Sequence, residues 1–496
     1  MRADQQIGID LPLKLLAWQD NAKAWLTYND PNWITQRYNL GHEIDQTVQN
    51  EKRGTGCNIE GSNNVVRQAR RTPYRKPERI LQMSTLRPAA PPCSTSSRRG
   101  FLQAVGTGAL ALGVSPSLAE TMINLPLPGG PEQRNLTADF TQKGEMILQR
   151  SRPPLLETPF EVFDRGVFTP NDQFFVRWQW AVVPQQVDVA KFQLAVRGHV
   201  NNALMLSLQD ILAMPRVELA AVNQCSGNSR GFFQPRVAGG QWSNGAMGNA
   251  RWTGVRLRDV LDRAGVKAGA VAVRFNGLDQ PVVDGAPDFM KSLDIDHARD
   301  DEVILAYLMN GEQMPLLNGF PLRLIVPGWY STYWVKMLND IEVLDAPDQS
   351  YWMATAYRIP DTPFASVKPG ETGFKTVPIN RMLPRSFFTN VRGDVSVKAG
   401  APASIRGIAF GGDCGVAKVE LSEDDGKTWH ATTLGSDQGK YSFRQWSATI
   451  TAPKTGQLVL QARCTNTKGE MQPAAPNWNG GGFMRNVIEQ AVLTVT

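Results

Sequence analysis

The feature that most restricts the fold of this chain is a succession of short apolar-rich runs broken by turn residues. Residues 403–410, 417–421 and 457–463 carry such runs, separated by Gly-Gly-Asp, Asp-Asp-Gly and Lys-Gly signals. Runs this short are strand-length, and this punctuation joins antiparallel neighbours. The pattern predicts an antiparallel β-sandwich of immunoglobulin type over residues 373–496.

Upstream the texture changes. Residues 174–178, 192–196 and 271–275 are rich in β-branched and aromatic side chains, while residues 206–214 and 257–264 read as short helices. Leu257, Val260 and Leu261 fall at i, i+3 and i+4. The expectation is a mixed α+β domain over residues 174–372 whose functional residues sit on loops. Pro- and Gly-rich text around residues 125–131 and 152–154 suggests that residues 120–173 are an extended lead-in wrapping that domain. Residues 361–384 read as a connection between domains.

Ser97-Arg98-Arg99-Gly100-Phe101-Leu102 precedes an Ala/Gly-rich apolar run over residues 104–114 and then Ser117-Leu118-Ala119. Paired arginines, a short weakly apolar stretch and a small-residue end form a twin-arginine signal over residues 83–119, with cleavage near Ala119. The run is too short and too glycine-rich to span a bilayer. Export to the periplasm, with no membrane span, is the expectation. Residues 1–82 precede a signal that normally starts a chain, so they are expected to be an over-extended translation start or a processed segment. Gly106-Thr107-Gly108-Ala109-Leu110-Ala111 formally matches a dinucleotide fingerprint but lacks the preceding strand that phosphate binding requires.

The formal charge is +6, yet much of the excess lies at residues 67–79, before the signal, so nucleic-acid binding is not expected. Of five cysteines, removal of Cys57 and Cys93 would leave Cys225, Cys414 and Cys464. The last two are open to either reading, a disulfide or separate thiols.

Asn223-Gln224-Cys225-Ser226-Gly227-Asn228-Ser229-Arg230 holds a cysteine among small, turn-forming and hydrogen-bonding residues, which suits a ligand on an irregular loop. A thiolate is a soft donor for a metal in a sulfur-rich sphere. Taken with Trp242, Ala250-Arg251-Trp252-Thr253-Gly254, Leu305-Ala306-Tyr307-Leu308-Met309-Asn310-Gly311 and Asn318-Gly319-Phe320-Pro321-Leu322-Arg323, in that order, this run resembles the sulfite oxidase family of molybdenum enzymes.

The resemblance implies a molybdopterin-binding catalytic domain followed by an immunoglobulin-like dimerisation domain. It implies that Cys225 binds molybdenum beside the dithiolene sulfurs of a pyranopterin. It assigns Arg177, Arg230 and Trp242 to the substrate pocket and Tyr357 to the active site, where a phenol assists proton movement. Asp279, Asn318, Arg323 and Lys336 would contact the pyranopterin or its phosphate. The implied reaction is oxidation of sulfite to sulfate, with electrons passed to a periplasmic c-type cytochrome. The partner would be a second copy of this chain or a haem subunit.

Three departures stand out: Asn318 and Gln179 where relatives carry histidine, and Gly481 where animal relatives carry an arginine. With four histidines, no Cys-x-x-Cys-His and no His-Pro-Gly-Gly, no haem is expected in this chain. Alternatives are the sulfane-sulfur dehydrogenase component of a thiosulfate-oxidising complex, a periplasmic methionine sulfoxide reductase and, from another class, a non-catalytic β-sandwich binding protein.

Overall fold

The computed structural model describes residues 16–20, 23–27, 121–130, 132–393, 395–452 and 454–496. The chain divides into two units, 1–117 and 118–496. In the first, Leu16–Asp20 pairs antiparallel with Lys23–Thr27. The twin-arginine motif, the apolar run after it and the rest of the expected N-terminal extension lie outside the described residues.

In the second unit, residues 120–173 form more than an extended wrap. Met122–Asn124, Gln133–Thr137, Met146–Arg150, Leu155–Glu157 and Val176–Arg177 make a five-stranded sheet in sequence order, each strand antiparallel to the next. The reason is burial: Met146, Ile147, Leu155 and Leu156 are removed from water, and a backbone leaving water must pair its N–H and C=O groups. The last rung sets Leu155 opposite Arg177 and so fixes that arginine at a strand end.

Two further sheets build the central domain. One pairs Arg216–Gln224 with Met247–Arg256, then Ile304–Met309, which pairs both with Glu312–Gln313 and with Arg323–Ile325. The other runs Met290–Asp294, Ala272–Gly277, Leu338–Leu344, Gln193–Gly198 and Leu204–Ser207, with one parallel pairing, between Leu338–Leu344 and Gln193–Gly198.

The helix Leu257–Ala264 has the bounds expected. Leu257, Val260, Leu261 and Ala264 are buried, and Gly265 ends it at φ 69°, donating its N–H to the Leu261 carbonyl. The other expected helix shrinks to Leu208–Leu212. Strand pairing claims Leu204–Ser207, and a capping box between Ser207 and Asp210 starts the helix there.

Among the described residues the remaining α-helices are Ile295–Ala298 and Tyr351–Ala354, so the domain expected as a mixed α+β one is mostly sheet with few helices.

The C-terminal lobe is a sandwich of two sheets. Arg385–Phe388, Pro402–Phe410, Arg444–Thr451 and Thr433–Leu434 form one. Ser396–Val397, Glu489–Val495, Gly456–Asn466, Val416–Ser422 and His430–Ala431 form the other. Ile405, Trp446 and Phe388 pack against Val419, Leu460 and Leu493 between them. Its first strand begins at Arg385. The stretch before it is partly ordered into the connection, Thr376–Pro378 pairing with Arg358–Pro360. Ile408, Phe410, Phe443 and Met484 join the core of the central domain, so the two lobes share buried surface. Cys414 and Cys464 are separate buried thiols.

Candidate active site

Cys225 follows the end of the strand Arg216–Gln224. Its N–H donates to the Ala246 carbonyl at 2.9 Å, and its own carbonyl accepts from Asn228 N–H at 2.9 Å, closing a turn. The Asn228 side chain ties that turn to the opposite strand by accepting from Ala246 N–H at 3.0 Å. Gly227 N–H donates to the Cys225 Sγ at 3.4 Å. A Cβ on Gly227 would lie 2.6 Å from the Arg230 guanidinium, which would have to shift to admit it.

Cys225 lines a cavity together with Arg177, Asp279, Asn318, Arg323, Lys336 and Tyr357. Seven of the nine residues expected from sequence thus converge, from strands and loops spread over about 180 positions of the chain.

Arg177 Nη1 and the Tyr357 hydroxyl both donate to Oε1 of Gln179, the second at 3.0 Å. Gln179 therefore joins the site as an acceptor that cannot titrate. Burial raises the Tyr357 pKa, with the positive charge of Arg177 opposing, so the phenol stays protonated at neutral pH.

The other charged groups lining the cavity are two cations, Arg323 and Lys336, and one carboxylate, Asp279. Arg323 is fully enclosed, its pKa lowered to about 9 by burial, and it stacks near Trp252 and Trp334. Its Nη1 donates to the Asn318 carbonyl at 2.9 Å and its Nη2 to Asn223 Oδ1 at 3.3 Å. Lys336 lies 4.4 Å from the centroid of a Trp178 ring. Burial lowers its pKa to about 7, helped by Arg323 and opposed by Asp279. Asp279 is pushed up to about 6 by burial, with Lys336 pulling the other way.

Arg323 Nε and Asn223 Nδ2 are buried without an acceptor. Buried cations in excess of carboxylates, with spare donors beside them, fit an anionic, acceptor-rich ligand such as a pyranopterin phosphate. Among the described residues no three His, Cys, Asp or Glu side chains gather as a metal site. A metal at Cys225 would therefore take its remaining ligands from a cofactor, as a dithiolene provides.

Two expected residues are not on the cavity wall. Arg230 donates Nε to the Gly482 carbonyl at 3.1 Å, Nη1 to Gly240 at 3.4 Å and Nη2 to Gly481 at 3.3 Å. Trp242 is buried in the central core, its carbonyl accepting from Gly231 N–H.

Sequence reading also missed three buried charges. Lys143 Nζ donates to the carbonyls of Asn171 and Phe174 and, at 2.9 Å, to Asn318 Oδ1. That contact orients the amide so that Asn318 Nδ2 donates to the Phe175 carbonyl. Lys291 Nζ donates to the Trp352 carbonyl at 2.7 Å and lies 4.6 Å and 5.6 Å from the ring centroids of Tyr333 and Tyr357. Glu157 accepts from Gly245 N–H at 2.8 Å, from the N–H and hydroxyl of Ser243 and from Gln149 Nε2 at 2.6 Å, bracing the loop that receives Cys225. No motif marks these residues. Apolar neighbours hint at burial for Glu157, which follows Leu155-Leu156, and for Lys291 in Met290-Lys291-Ser292-Leu293.

Residues 180–352 match the oxidoreductase molybdopterin binding domain, residues 377–495 the Mo-co oxidoreductase dimerisation domain, and residues 1–53 a domain of unknown function, DUF302. The chain is 33% identical to the mitochondrial sulfite oxidase of Homo sapiens over 364 residues. That alignment covers 70% of this chain and 65% of the human protein, just under two thirds of its length. It is 30% identical to the sulfite oxidase of Gallus gallus over 375 residues, covering 72% of this chain and 80% of the relative. In fold it is similar to the sulfane dehydrogenase SoxCD from Paracoccus pantotrophus, with a TM-score of 0.60 and 22% identity, covering 79% of this chain and 100% of that one.

Proposed function

The chain belongs to the sulfite oxidase family of molybdenum enzymes, and we propose that within it this protein oxidises sulfite to sulfate and passes the electrons to a separate c-type cytochrome. The observation that carries this reading is the placement of the Cys225 thiol and the Arg177 guanidinium on one cavity, with a phenol beside them. A soft metal ligand facing an oxyanion-binding fork is the arrangement that oxidation of a small sulfur oxyanion requires.

Cys225 would hold the metal, while Lys336, Arg323, Asp279 and Asn318 would hold the pyranopterin and its phosphate. When bound, this group supplies oxygen-atom transfer and takes up two electrons, so that sulfite and water become sulfate, two protons and two electrons. Arg177 binds the anion by charge-assisted hydrogen bonds, its fork aimed by Gln179. Arg230, clasped by carbonyls, adds positive potential without a direct contact. The Tyr357 hydroxyl, kept protonated by burial, is placed to donate to an oxygen in the cavity.

Export by the twin-arginine pathway and a periplasmic site of action are part of the same reading, since a pyranopterin inserted in the cytoplasm needs a route that carries folded proteins. So is assembly as a homodimer through the C-terminal sandwich, or as a pair with a haem subunit.

Sulfite-dependent reduction of cytochrome c by purified protein, measured together with its molybdenum content, tests the proposal. Turnover on free sulfite with about one molybdenum per chain supports it. A molybdenum-loaded protein inert to free sulfite but active on carrier-bound sulfane sulfur or on sulfoxides would move the function to one of those alternatives. A protein that takes up no molybdenum would favour a binding role.

A further inference from the structure

Phe483 belongs to the C-terminal lobe, yet its ring stacks on that of Tyr357 with centroids 5.4 Å apart and planes 21° from parallel. The Arg230 guanidinium carbon also lies over this ring, 5.3 Å from its centroid. Arg230 is bound to the same loop, through the carbonyls of Gly481 and Gly482. Cation, phenyl ring and phenol thus form one stack that links the Cys225 loop to the cavity wall.

The loop is well fixed. Phe483 N–H donates to Asn479 Oδ1 at 3.0 Å, Asn479 Nδ2 donates to the carbonyls of Phe483 and Ala365, and Met484 N–H donates to the Ser226 carbonyl at 2.9 Å. Gly482 has φ 61°, and a Cβ there would lie 2.6 Å from Arg230 Nε, so the close approach requires glycine.

Tyr357 needs such support. Its φ of 53° lies in the left-handed region, where a bulky residue persists only when its surroundings over-determine it. The edge contact with Phe289 and the tilted contact with Trp352 are longer, at 6.3 Å and 6.0 Å. Phe483 makes the closest ring contact of the three.

We propose that Phe483 is the positioning residue for Tyr357, holding the phenol hydroxyl on Gln179. This rests on the reading of the cavity as a sulfite-oxidising site. It makes the C-terminal lobe part of the active site as well as a packing partner.

The test compares Phe483→Leu, Phe483→Ala and Phe483→Tyr in the molybdenum-loaded full chain, with rates expressed per bound molybdenum. Losing an aromatic pair is expected to lower kcat about tenfold in the Leu and Ala variants with KM for sulfite near the wild-type value, and Tyr restores most of the rate. A crystal structure of the Leu variant should show the Tyr357 hydroxyl off Gln179. The Leu variant guards against simple loss of folding, since it keeps apolar volume without a ring. Wild-type kcat in the Leu variant, a change confined to KM, or Tyr357 unmoved in its crystal structure would each overturn the proposal. A wild-type enzyme inert to sulfite would instead overturn the functional reading, and the position of Tyr357 in the Leu variant would still decide the role of Phe483.

Discussion

Arg177 and Tyr357 meet across one acceptor: the guanidinium carbon lies 5.8 Å from the phenol ring centroid, and both side chains donate to the same oxygen of Gln179. The pairing couples anion binding to the group proposed to handle the proton. The residues lie 180 positions apart and come from different elements, a sheet edge and the loop after Tyr351–Ala354.

Replacing Arg177 with Gln is expected to raise KM for sulfite by roughly ten- to a hundredfold, since a charge-assisted hydrogen bond contributes about 1.5–3 kcal/mol. Molybdenum content should stay near wild type, because Arg177 is not among the groups proposed to hold the cofactor. Steady-state kinetics with metal analysis checks both, and an unchanged KM would place the anion elsewhere.

Cys225→Ser should fold, because the hydroxyl fills less space than the thiol and the turn is held by the backbone bonds of residues 225, 228 and 246. Turnover should fall below detection, since a hydroxyl is a poor soft-metal ligand. Near wild-type activity in this variant would remove Cys225 from the metal.

Buried lysines make the cofactor-free protein sensitive to alkaline pH in a defined direction. Burial lowers Lys143 to about 7, with Asp172 opposing, and Lys291 to about 7, with Asp348 opposing. Between about 7 and the unfolded value of 10.5 the unfolded chain binds more protons than the folded one, so stability rises with pH across that window and reaches its low plateau beneath it. Each lysine contributes on the order of a few kcal/mol to this slope. Thermal midpoints at pH 6.5 and 9.5 should therefore differ less in Lys291→Met than in wild type. An identical pH slope in the two proteins would show that Lys291 is not the source.

Glu157→Ala should destabilise the protein by about 2–4 kcal/mol, because it leaves Ser243, Gly245 and Gln149 donors buried without their acceptor. Glu157→Gln keeps part of the acceptor set and should cost less. Chemical denaturation of the two variants orders them, and equal midpoints would contradict the bracing role.

A chain ending at Pro384 is expected to be insoluble, not merely monomeric. It would lose the Arg385 Nη1 bond to Ser229 Oγ at 3.1 Å and the Phe483 stack, and it would expose the face that Ile408, Phe410 and Phe443 cover. Sedimentation of the intact protein should report a dimer. A soluble, well-folded truncated chain would show that the sandwich serves association alone.

Local pattern was enough for the elements whose burial follows from their own period. The helix Leu257–Ala264 and the strands Pro402–Phe410, Val416–Ser422 and Gly456–Asn466 lie within a few residues of where alternation and turn residues put them. Resemblance along the chain brought Cys225, Arg177, Asp279, Asn318, Arg323, Lys336 and Tyr357 to one cavity. Residues 120–173 read as an extended lead-in because proline-rich turns mask short strands whose pairing is set by burial.

By itself the sequence determined the character of the Cys225 loop, the stretch that carries the chemistry and the strand-rich C-terminal lobe, because each is written in neighbouring residues. Only the tertiary structure decided that Lys143 orients Asn318, that Arg230 is clasped by the carbonyls of Gly481 and Gly482, and that Phe483 stacks on Tyr357. Those contacts join residues more than a hundred positions apart. Whether an arginine meets a ligand or a carbonyl depends on which chain segment packs beside it, and no local period encodes that.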